Sequence, residues 1–236
     1  MKPRLGIIGG SGLSQSSAFA TSERREFETP HGPPSSPVEL GERVAFLARH
    51  GAAHRIPPHR INHKANLWAL KKAGVAGVVG TSSVGSLKEE IVPGTLVVPN
   101  DYLSLWDIPT YFDDEIRHVT PVLDDDLRRR LVEVARDRGV GIHEGGVYVQ
   151  TRGPRLETKA EIRVLRGFGD LVGMTMAAEA TLASELDLPY ASLCSVDNYC
   201  HGITDEALSF EDIRRTQQSN ARVVRAVLRA FVGEPA

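Results

Sequence analysis

The chain has little that would tie it to nucleic acid, to a membrane or to a secretory route. Its net charge is −2 and no long block of basic residues occurs, which argues against nucleic acid or an anionic membrane as the main partner. No run approaches the roughly 18 apolar residues that span a bilayer, and residues 1–10 lack the long apolar core of a signal peptide. We expect a soluble protein of the cytoplasm.

Cysteine is also scarce, and the familiar nucleotide-binding loops are missing. Cys194 and Cys200 are the only cysteines; a disulfide between them is not expected in the cytosol, and metal binding would need partners at ligand spacing that the sequence does not supply. The glycine-rich segment 9–12 has neither the full dinucleotide fingerprint nor the Gly-Lys-Ser/Thr of a Walker loop. Its glycines favour a tight turn with N–H groups facing an anion, to which Ser11 adds a hydroxyl.

What the sequence does contain is an alternation of short apolar strands and helices. Apolar residues make up 41% and charged residues 25% of 236 residues, as in ordinary globular proteins. The pattern predicts an α/β fold, one domain over residues 1–236, with a mixed sheet and a site at the carboxyl edge of its strands. Predicted strands cover 4–8, 44–47, 75–80, 95–99, 144–149 and 171–173, with another starting at Tyr190; predicted helices cover 62–73, 124–138, 158–166 and 209–231, with another opening after Met174.

Polar residues follow several of these strands. The strand from Tyr190 stops at Asp197 and Asn198, which suits a small polar ligand, although an ordinary turn has the same composition. Arg49 and His50 follow another strand; they suit phosphate, a solvated basic loop being the alternative. We predict that a hydroxyl-rich loop over 81–87 wraps the same anion. The irregular, aromatic segment 100–121 is typical of a lid or an interface.

Taken together, these segments resemble the trimeric purine nucleoside phosphorylases and methylthioadenosine phosphorylases. The resemblance implies an α/β domain whose mixed sheet curls toward a barrel, a homotrimer or a dimer of trimers, and active sites near subunit boundaries. It implies no metal or organic cofactor, with inorganic phosphate as co-substrate. The segments that carry it are Gly9-Gly10-Ser11-Gly12, Arg49-His50-Gly51 with His54 and Asn62, Thr81-Ser82-Ser83-Val84-Gly85-Ser86, Gly153-Pro154-Arg155-Leu156-Glu157-Thr158, and Val172-Gly173-Met174-Thr175 through Glu179-Ala180.

The resemblance also implies a role for individual residues. The reaction would be phosphorolysis of a purine nucleoside, in which phosphate attacks the anomeric carbon as the bond to the purine breaks. Asn198 would hydrogen-bond the departing base, Met174 would contact the ribose, and the purine would lie against Leu156 with Glu157 at its edge. Phosphate would be held by Ser11, Arg49, His50, Ser83, the backbone of Val84, and Thr175, with Arg49, His50 and Asn198 as the catalytic set.

Two positions favour a 6-oxopurine over adenine. The methylthioadenosine enzymes carry aspartates where this chain has Asn198 and Cys200, and a small hydroxyl residue in place of Glu157. An asparagine amide can donate to N7 or O6 of a 6-oxopurine, and a carboxylate can accept from its N1–H. Asp197 leaves an alternative open. If the strand is shifted by one residue, the carboxylate of Asp197 takes the place of the Asn198 amide in the pocket and favours a 6-aminopurine.

At the 5′ end of the nucleoside the sequence offers apolar side chains. Phe210 and Ile213 stand where ordinary 6-oxopurine enzymes have a histidine, which favours a methylthio group; both could instead be core residues. His118 of the partner subunit could reach the same end. We therefore predict a 5′-methylthioinosine phosphorylase, with inosine/guanosine or methylthioadenosine phosphorylase as alternatives. A hydrolase and a non-catalytic nucleotide-binding module compete, but the calcium-binding aspartate cluster of nucleoside hydrolases is missing.

Overall fold

The computed structural model describes residues 4–13, 19–105, 108–205 and 209–234. They form a mixed 11-stranded sheet flanked by helices, and the predicted α/β class is confirmed. In this part of the chain no helix is long and apolar enough to cross a membrane. The strands are β1 Arg4–Gly9, β2 Thr21–Arg25, β3 Val38–Gly41, β4 Val44–Ala48, β5 Val75–Ser86, β6 Leu96–Val98, β7 Asp101–Ser104, β8 Ile142–Glu144, β9 Val147–Gln150, β10 Leu171–Gly173 and β11 Tyr190–Tyr199; the helices are α1 His63–Lys72, α2 Asp125–Asp137, α3 Lys159–Leu165, α4 Met176–Glu185 and α5 Phe210–Phe231.

Strand β5 is the centre of the sheet. It pairs in parallel with β1 along its first half and with β11 from Val78 to Ser86, while its last residues pair antiparallel with β10. Strand β4 lies parallel to β1 on the far side. The carboxyl ends of β1, β4, β5 and β11 therefore meet at one edge, where open α/β sheets bind their ligands.

The two faces of the sheet are covered by different helices. One apolar cluster packs α1 and α4 on the sheet through residues such as Leu67, Leu70 and Leu182. The other packs α2 and α5 through residues such as Leu131 and Val227. Because all five side chains are fully buried, the helices hold the central strands rigidly from both sides.

Three helices begin at residues whose side chains cap them, close to the starts predicted from the sequence. Asn62 caps α1 by accepting from the N–H of Ala65, and Ser209 caps α5 by accepting from the N–H of Asp212. Thr158 and Glu161 form a reciprocal capping box at the start of α3. Capping depends on a few adjacent residues, so it can be predicted from sequence alone.

Several predicted boundaries were wrong. The hydroxyl-rich stretch 81–86 is not a loop but the second half of β5, because β11 and β10 pair with it. The predicted strand 144–149 is divided between β8 and β9 by Gly145 and Gly146, which both have positive φ. Strand β7 lies inside the segment expected to be irregular, and Trp106 of that segment lies outside the described residues.

Candidate active site

A pocket opens at the edge where the central strands end. It has a volume of about 200 Å³. Most of its residues lie in or just beyond the last part of β1, β4, β5, β10 or β11. The others come from the segment after β9, from the segment before α1 and from the first turn of α5. The lining residues are Ser11, Arg49, His50, Pro58, Ser83, Val84, Gly85, Leu156, Glu157, Val172, Gly173, Met174, Thr175, Asn198, Cys200, His201, Phe210 and Ile213.

Arg49 lies at the back of the pocket and is 1% exposed. Its Nε and Nη2 donate to the two carboxylate oxygens of Glu179 at 2.5 and 2.9 Å, and its Nη1 donates to the carbonyl of Thr81 at 2.6 Å. An arginine has five N–H groups, so two remain for a ligand. Glu179 is buried as well, and Tyr190 donates to it at 2.8 Å.

This pair fixes the charge of both groups. Burial alone would raise the pKa of Glu179, but the charge of Arg49 outweighs it and holds that pKa at about 2. Burial likewise opposes the charge on Arg49, yet Glu179 raises the pKa of the guanidinium above its usual value. The positive charge that Arg49 brings to the pocket is therefore cancelled by its partner.

His50 is buried beside Arg49 with one ring nitrogen already engaged. Its Nδ1 lies 2.8 Å from the carbonyl of Ile56, which makes Nδ1 the protonated nitrogen in the neutral ring. Burial and the charge of Arg49 lower the pKa of His50 to about 4. At neutral pH the ring is uncharged and Nε2 is an acceptor.

Three other histidines of the same stretch of sequence do not join His50 around a metal. His54 packs against His50 with ring centroids 4.8 Å apart, whereas His59 and His63 line a separate depression. Among the described residues, no group of three or more His, Cys, Asp or Glu side chains could hold a metal ion.

Three hydroxyl side chains from different strands line the pocket together: Ser11, Ser83 and Thr175. Thr175 is the residue before α4, yet its hydroxyl makes no capping hydrogen bond. The N–H groups that begin this helix are instead satisfied by the hydroxyl of Tyr148 and the side chain of Gln150. The Thr175 hydroxyl is thus left for a ligand at the positive end of the helix dipole.

The glycine-rich turn after β1 has a different role from the one its sequence suggested. The N–H of Gly10 donates to the hydroxyl of Thr81 at 2.8 Å rather than to an anion. A Cβ on Gly10 would lie 2.5 Å from Nη1 of Arg49 and 2.6 Å from the carbonyl oxygen of Thr81. The glycine is needed because the buried guanidinium passes directly against the backbone.

A β-bulge in β11 separates Asp197 from Asn198. Val196 pairs with Val84 and Asn198 with Gly85, so Asp197 is the extra residue. Asn198 lines the pocket, and its amide donates to the carbonyl of Tyr199 at 2.7 Å. Asp197 is not among the lining residues; it is buried and bonded to Ser83 and Asn220. The strand is therefore not shifted so as to place Asp197, instead of Asn198, in the pocket.

Glu157 and Leu156 reach the pocket from the segment after β9. Glu157 accepts from the hydroxyl of Thr151 at 2.7 Å, which leaves its second carboxylate oxygen for a ligand. Gly153 has φ +63°, and a Cβ there would overlap Sδ of Met174 at 2.3 Å. This close contact ties the segment to Met174, which lines the pocket as predicted.

The mouth of the pocket contains Phe210 and Ile213 from the first turn of α5. Phe210 is 71% exposed, so the alternative that it belongs to the core is wrong. His118 is exposed and lies outside the lining in its own chain; its contact across a subunit boundary stays a prediction. Sequence reasoning gave no site role to five of the lining residues: Pro58, Gly85, Val172, Gly173 and His201. His201 could have been found, because it directly follows Cys200 at the same strand end.

With this geometry in view, comparison with known proteins identifies the family. The model of the phosphorylase superfamily matches residues 4–233. The chain belongs to the phosphorylase superfamily. This phosphorylase is 44% identical, over 92% of its length and 91% of the relative's, to the probable 6-oxopurine nucleoside phosphorylase of Archaeoglobus fulgidus.

Two further proteins resemble this phosphorylase over most of their length. The probable S-methyl-5′-thioinosine phosphorylase of Methanothermobacter thermautotrophicus is 42% identical over 89% of the chain and 76% of the relative. The methylthioadenosine phosphorylase of Schistosoma mansoni, solved in complex with adenine, superposes with a TM-score of 0.89 at 29% identity, covering 98% of this chain and 91% of that one. These matches confirm the family and the fold predicted from sequence.

Proposed function

We propose that this phosphorylase cleaves purine nucleosides with inorganic phosphate, releasing free purine and ribose 1-phosphate or its 5′-modified form. The observation that carries the proposal is the convergence of three hydroxyl side chains and His50 in one pocket that also contains Asn198 and Glu157. The first group suits an oxyanion, and the second suits the edge of a heterocyclic base. The names of the relatives support the same reaction.

In this mechanism the protein supplies positions and charge rather than a covalent nucleophile. Ser11, Ser83 and Thr175 hold the phosphate, together with the two remaining N–H groups of Arg49 and the backbone N–H of Val84. Nε2 of the neutral His50 accepts from the hydroxyl of the monohydrogen phosphate. The anion attacks the anomeric carbon in line as the glycosidic bond breaks, and Asn198 stabilises negative charge that develops on the purine. Positioning of this kind contributes several kcal/mol to catalysis. No metal or organic cofactor is assigned; phosphate is the co-substrate.

We propose a 6-oxopurine as the preferred base. Glu157 has one carboxylate oxygen free of Thr151, and it can accept from N1–H, which hypoxanthine and guanine have and adenine lacks. Asn198 lies in the lining while Asp197 does not, which supports amide rather than carboxylate contact with the base. Leu156 packs against the purine, Met174 against the ribose, and Cys200 beside the base. This pairing pattern favours hypoxanthine or guanine over adenine.

The 5′ substituent is proposed to be methylthio. Phe210 and Ile213 give the mouth of the pocket an apolar side, and burial of a methylthio group against them would contribute about 1 kcal/mol or more. Inosine or guanosine is the second candidate substrate, favoured by the name of the Archaeoglobus relative. The imidazole of His201, also in the lining, would supply a polar contact for such a substrate.

The decisive test compares phosphate-dependent base release from 5′-methylthioinosine, 5′-methylthioadenosine, inosine and adenosine. We expect methylthioinosine to have the highest kcat/KM, followed by inosine. A lead for methylthioadenosine would overturn the assignment of Asn198 and Glu157 to a 6-oxopurine. Base release without phosphate would indicate a hydrolase, and binding without turnover would indicate a nucleotide-binding module.

We further propose that residues 1–236 act as one nucleoside phosphorylase domain, that the enzyme is a homotrimer or a dimer of trimers, and that it is cytoplasmic. The oligomer follows from the resemblance to trimeric phosphorylases, and His118 of the partner subunit would then complete the 5′ end of the site. Sedimentation equilibrium checks this: the expected mass is three or six times 25.7 kDa. A mass of one chain in active enzyme would contradict it.

A further inference from the structure

Behind Ser83 lies a closed network of polar groups that the reaction itself does not use. Ser83 is bonded to Asp197, whose Oδ1 accepts from Asn220 at 2.8 Å. Gln217 donates to the Ser83 hydroxyl at 3.3 Å. Asp197 is 2% exposed, so this carboxyl group meets the pocket only through Ser83.

The hydrogen bonds of Ser83 leave it poorly prepared to bind an anion. A serine hydroxyl has one hydrogen and two acceptor lone pairs. While Asp197 is ionised, that hydrogen points to Asp197, and Gln217 occupies one lone pair. Ser83 then presents only a lone pair to the pocket, which repels the oxygens of a dianion.

The charges around the pocket create the same difficulty. The opposite charges of Arg49 and Glu179 cancel, and His50 is neutral at pH 7 because burial and Arg49 lower its pKa to about 4. An ionised Asp197 would add an uncompensated negative charge behind Ser83, separated from the bound phosphate only by that side chain. Burying a charge without a counter-charge is unfavourable, and bringing a dianion close to it adds repulsion.

Protonation of Asp197 removes both difficulties. We propose that Asp197 takes up a proton from solvent when the pocket binds a divalent oxyanion, so that its Oδ2–H donates to Ser83 and the Ser83 hydrogen turns to the anion. Oδ1 remains the carbonyl oxygen and keeps its bond from Asn220. Asp197 is thus a positioning residue that acts through Ser83. The inference rests on the proposed function for one point, the phosphate beside Ser83.

The surroundings of Asp197 are compatible with a neutral carboxyl. The side chains that bond to it are uncharged: Ser83 from β5, Gln217 and Asn220 from α5, and Ser195 from its own strand. Burial raises the pKa of Asp197 despite these hydrogen bonds. The neighbouring thiol of Cys194 stays protonated, since burial raises its pKa to about 12.

Sulfate is the appropriate probe, because it remains a dianion across the pH range and cannot donate a hydrogen bond. Titration calorimetry of sulfate into the wild-type enzyme, in two buffers of different ionisation enthalpy, counts the protons taken up. Linkage makes the sulfate Kd rise with pH, by up to about tenfold per pH unit between the pKa of Asp197 in the free and in the bound enzyme. We expect uptake approaching one proton at pH values between those two pKa values, where Asp197 of the free enzyme is ionised. Binding without uptake would overturn the proposal.

The variant Asp197→Asn tests whether the proton taken up with sulfate resides on Asp197. The amide can donate to Ser83 and accept from Asn220, as the protonated acid does, so we expect its sulfate Kd to be independent of pH. Asp212→Asn makes the same change at an exposed position of α5, where Asp212 pairs with Arg215; it should keep the wild-type slope. Proton uptake that persists in Asp197→Asn would place the proton on another group such as His50, against the proposal. Absence of base release would overturn the proposed function without affecting this result.

Discussion

The residues that matter most in this pocket owe their behaviour to partners far away in the chain. Arg49 and Glu179 are 130 positions apart, and Asp197 is 114 positions from Ser83. Each pair joins two residues whose types alone suggest surface positions. A single sequence shows the residue types but not which of them meet, so the lining could be predicted largely while the network behind it could not.

In the proposed function, the choice of base depends on Asn198. Asn198→Asp replaces an amide donor by a carboxylate acceptor, and we expect kcat/KM for inosine to fall by about 10²-fold or more while kcat/KM for adenosine rises. Steady-state kinetics with both nucleosides measures the ratio. Asn100→Asp, at an exposed asparagine after β6, should leave it unchanged. Loss of inosine activity without any gain for adenosine would weaken the assignment of Asn198 to the base edge.

At the scale of elements, success and failure of sequence prediction have clear physical causes. The helices predicted over 62–73 and 209–231 begin where expected, because their caps, Asn62 and Ser209, depend only on neighbouring residues. The hydroxyl-rich half of β5 looked like a loop, because its side chains are polar. It is a strand because Thr81 bonds to Gly10 and Ile8 of β1, and because β11 pairs with it along its length. Long-range pairing of this kind overrides local composition.

The turn between β1 and its pocket residue Ser11 gives a prediction at this scale. Gly10→Ala would push a methyl group against the Thr81 carbonyl and Arg49. Arg49 cannot retreat without straining its bonds to Glu179 and to the Thr81 carbonyl. We expect a loss of about 1–3 kcal/mol in the free energy of unfolding, as for other overpacked sites, and a higher KM for phosphate. Urea denaturation and phosphate titration measure the two effects.

The matched control is Gly141→Ala, since a Cβ on Gly141 would meet nothing within 4 Å. Its unfolding free energy should stay within about 0.5 kcal/mol of wild type. Equal stability of the two variants would mean that the turn adjusts freely and that Arg49 is held less tightly than its contacts indicate.

The whole molecule is organised by the branching of the sheet at β5. Strands β1 and β11 flank it in parallel, and β10 joins its last residues from the opposite direction, with Val172 opposite Gly85. Five strand ends therefore converge within one pocket, although they are scattered through most of the sequence. The buried Arg49–Glu179 pair then connects the end of β4 to helix α4, so that pocket geometry and global stability share one interaction.

That shared interaction makes the stability of the fold depend on pH in a defined direction. The pKa of Glu179 falls from 4.5 when unfolded to about 2 when folded, so its ionised form stabilises the folded state above pH 4.5 by about 3 kcal/mol, and this is lost as the pH falls toward 2. Asp197 contributes to the pH dependence of stability with the opposite sign, since its pKa is raised on folding.

Urea denaturation of the wild type and of Glu179→Gln at several pH values between 6 and 3 therefore isolates the contribution of Glu179, because Asp197 is unchanged in the variant. The variant leaves Arg49 buried without a counter-charge, and we expect it to be about 3–5 kcal/mol less stable at pH 7. It should lose less stability on acidification, so that the two curves converge at low pH; parallel curves would contradict the role of the pair.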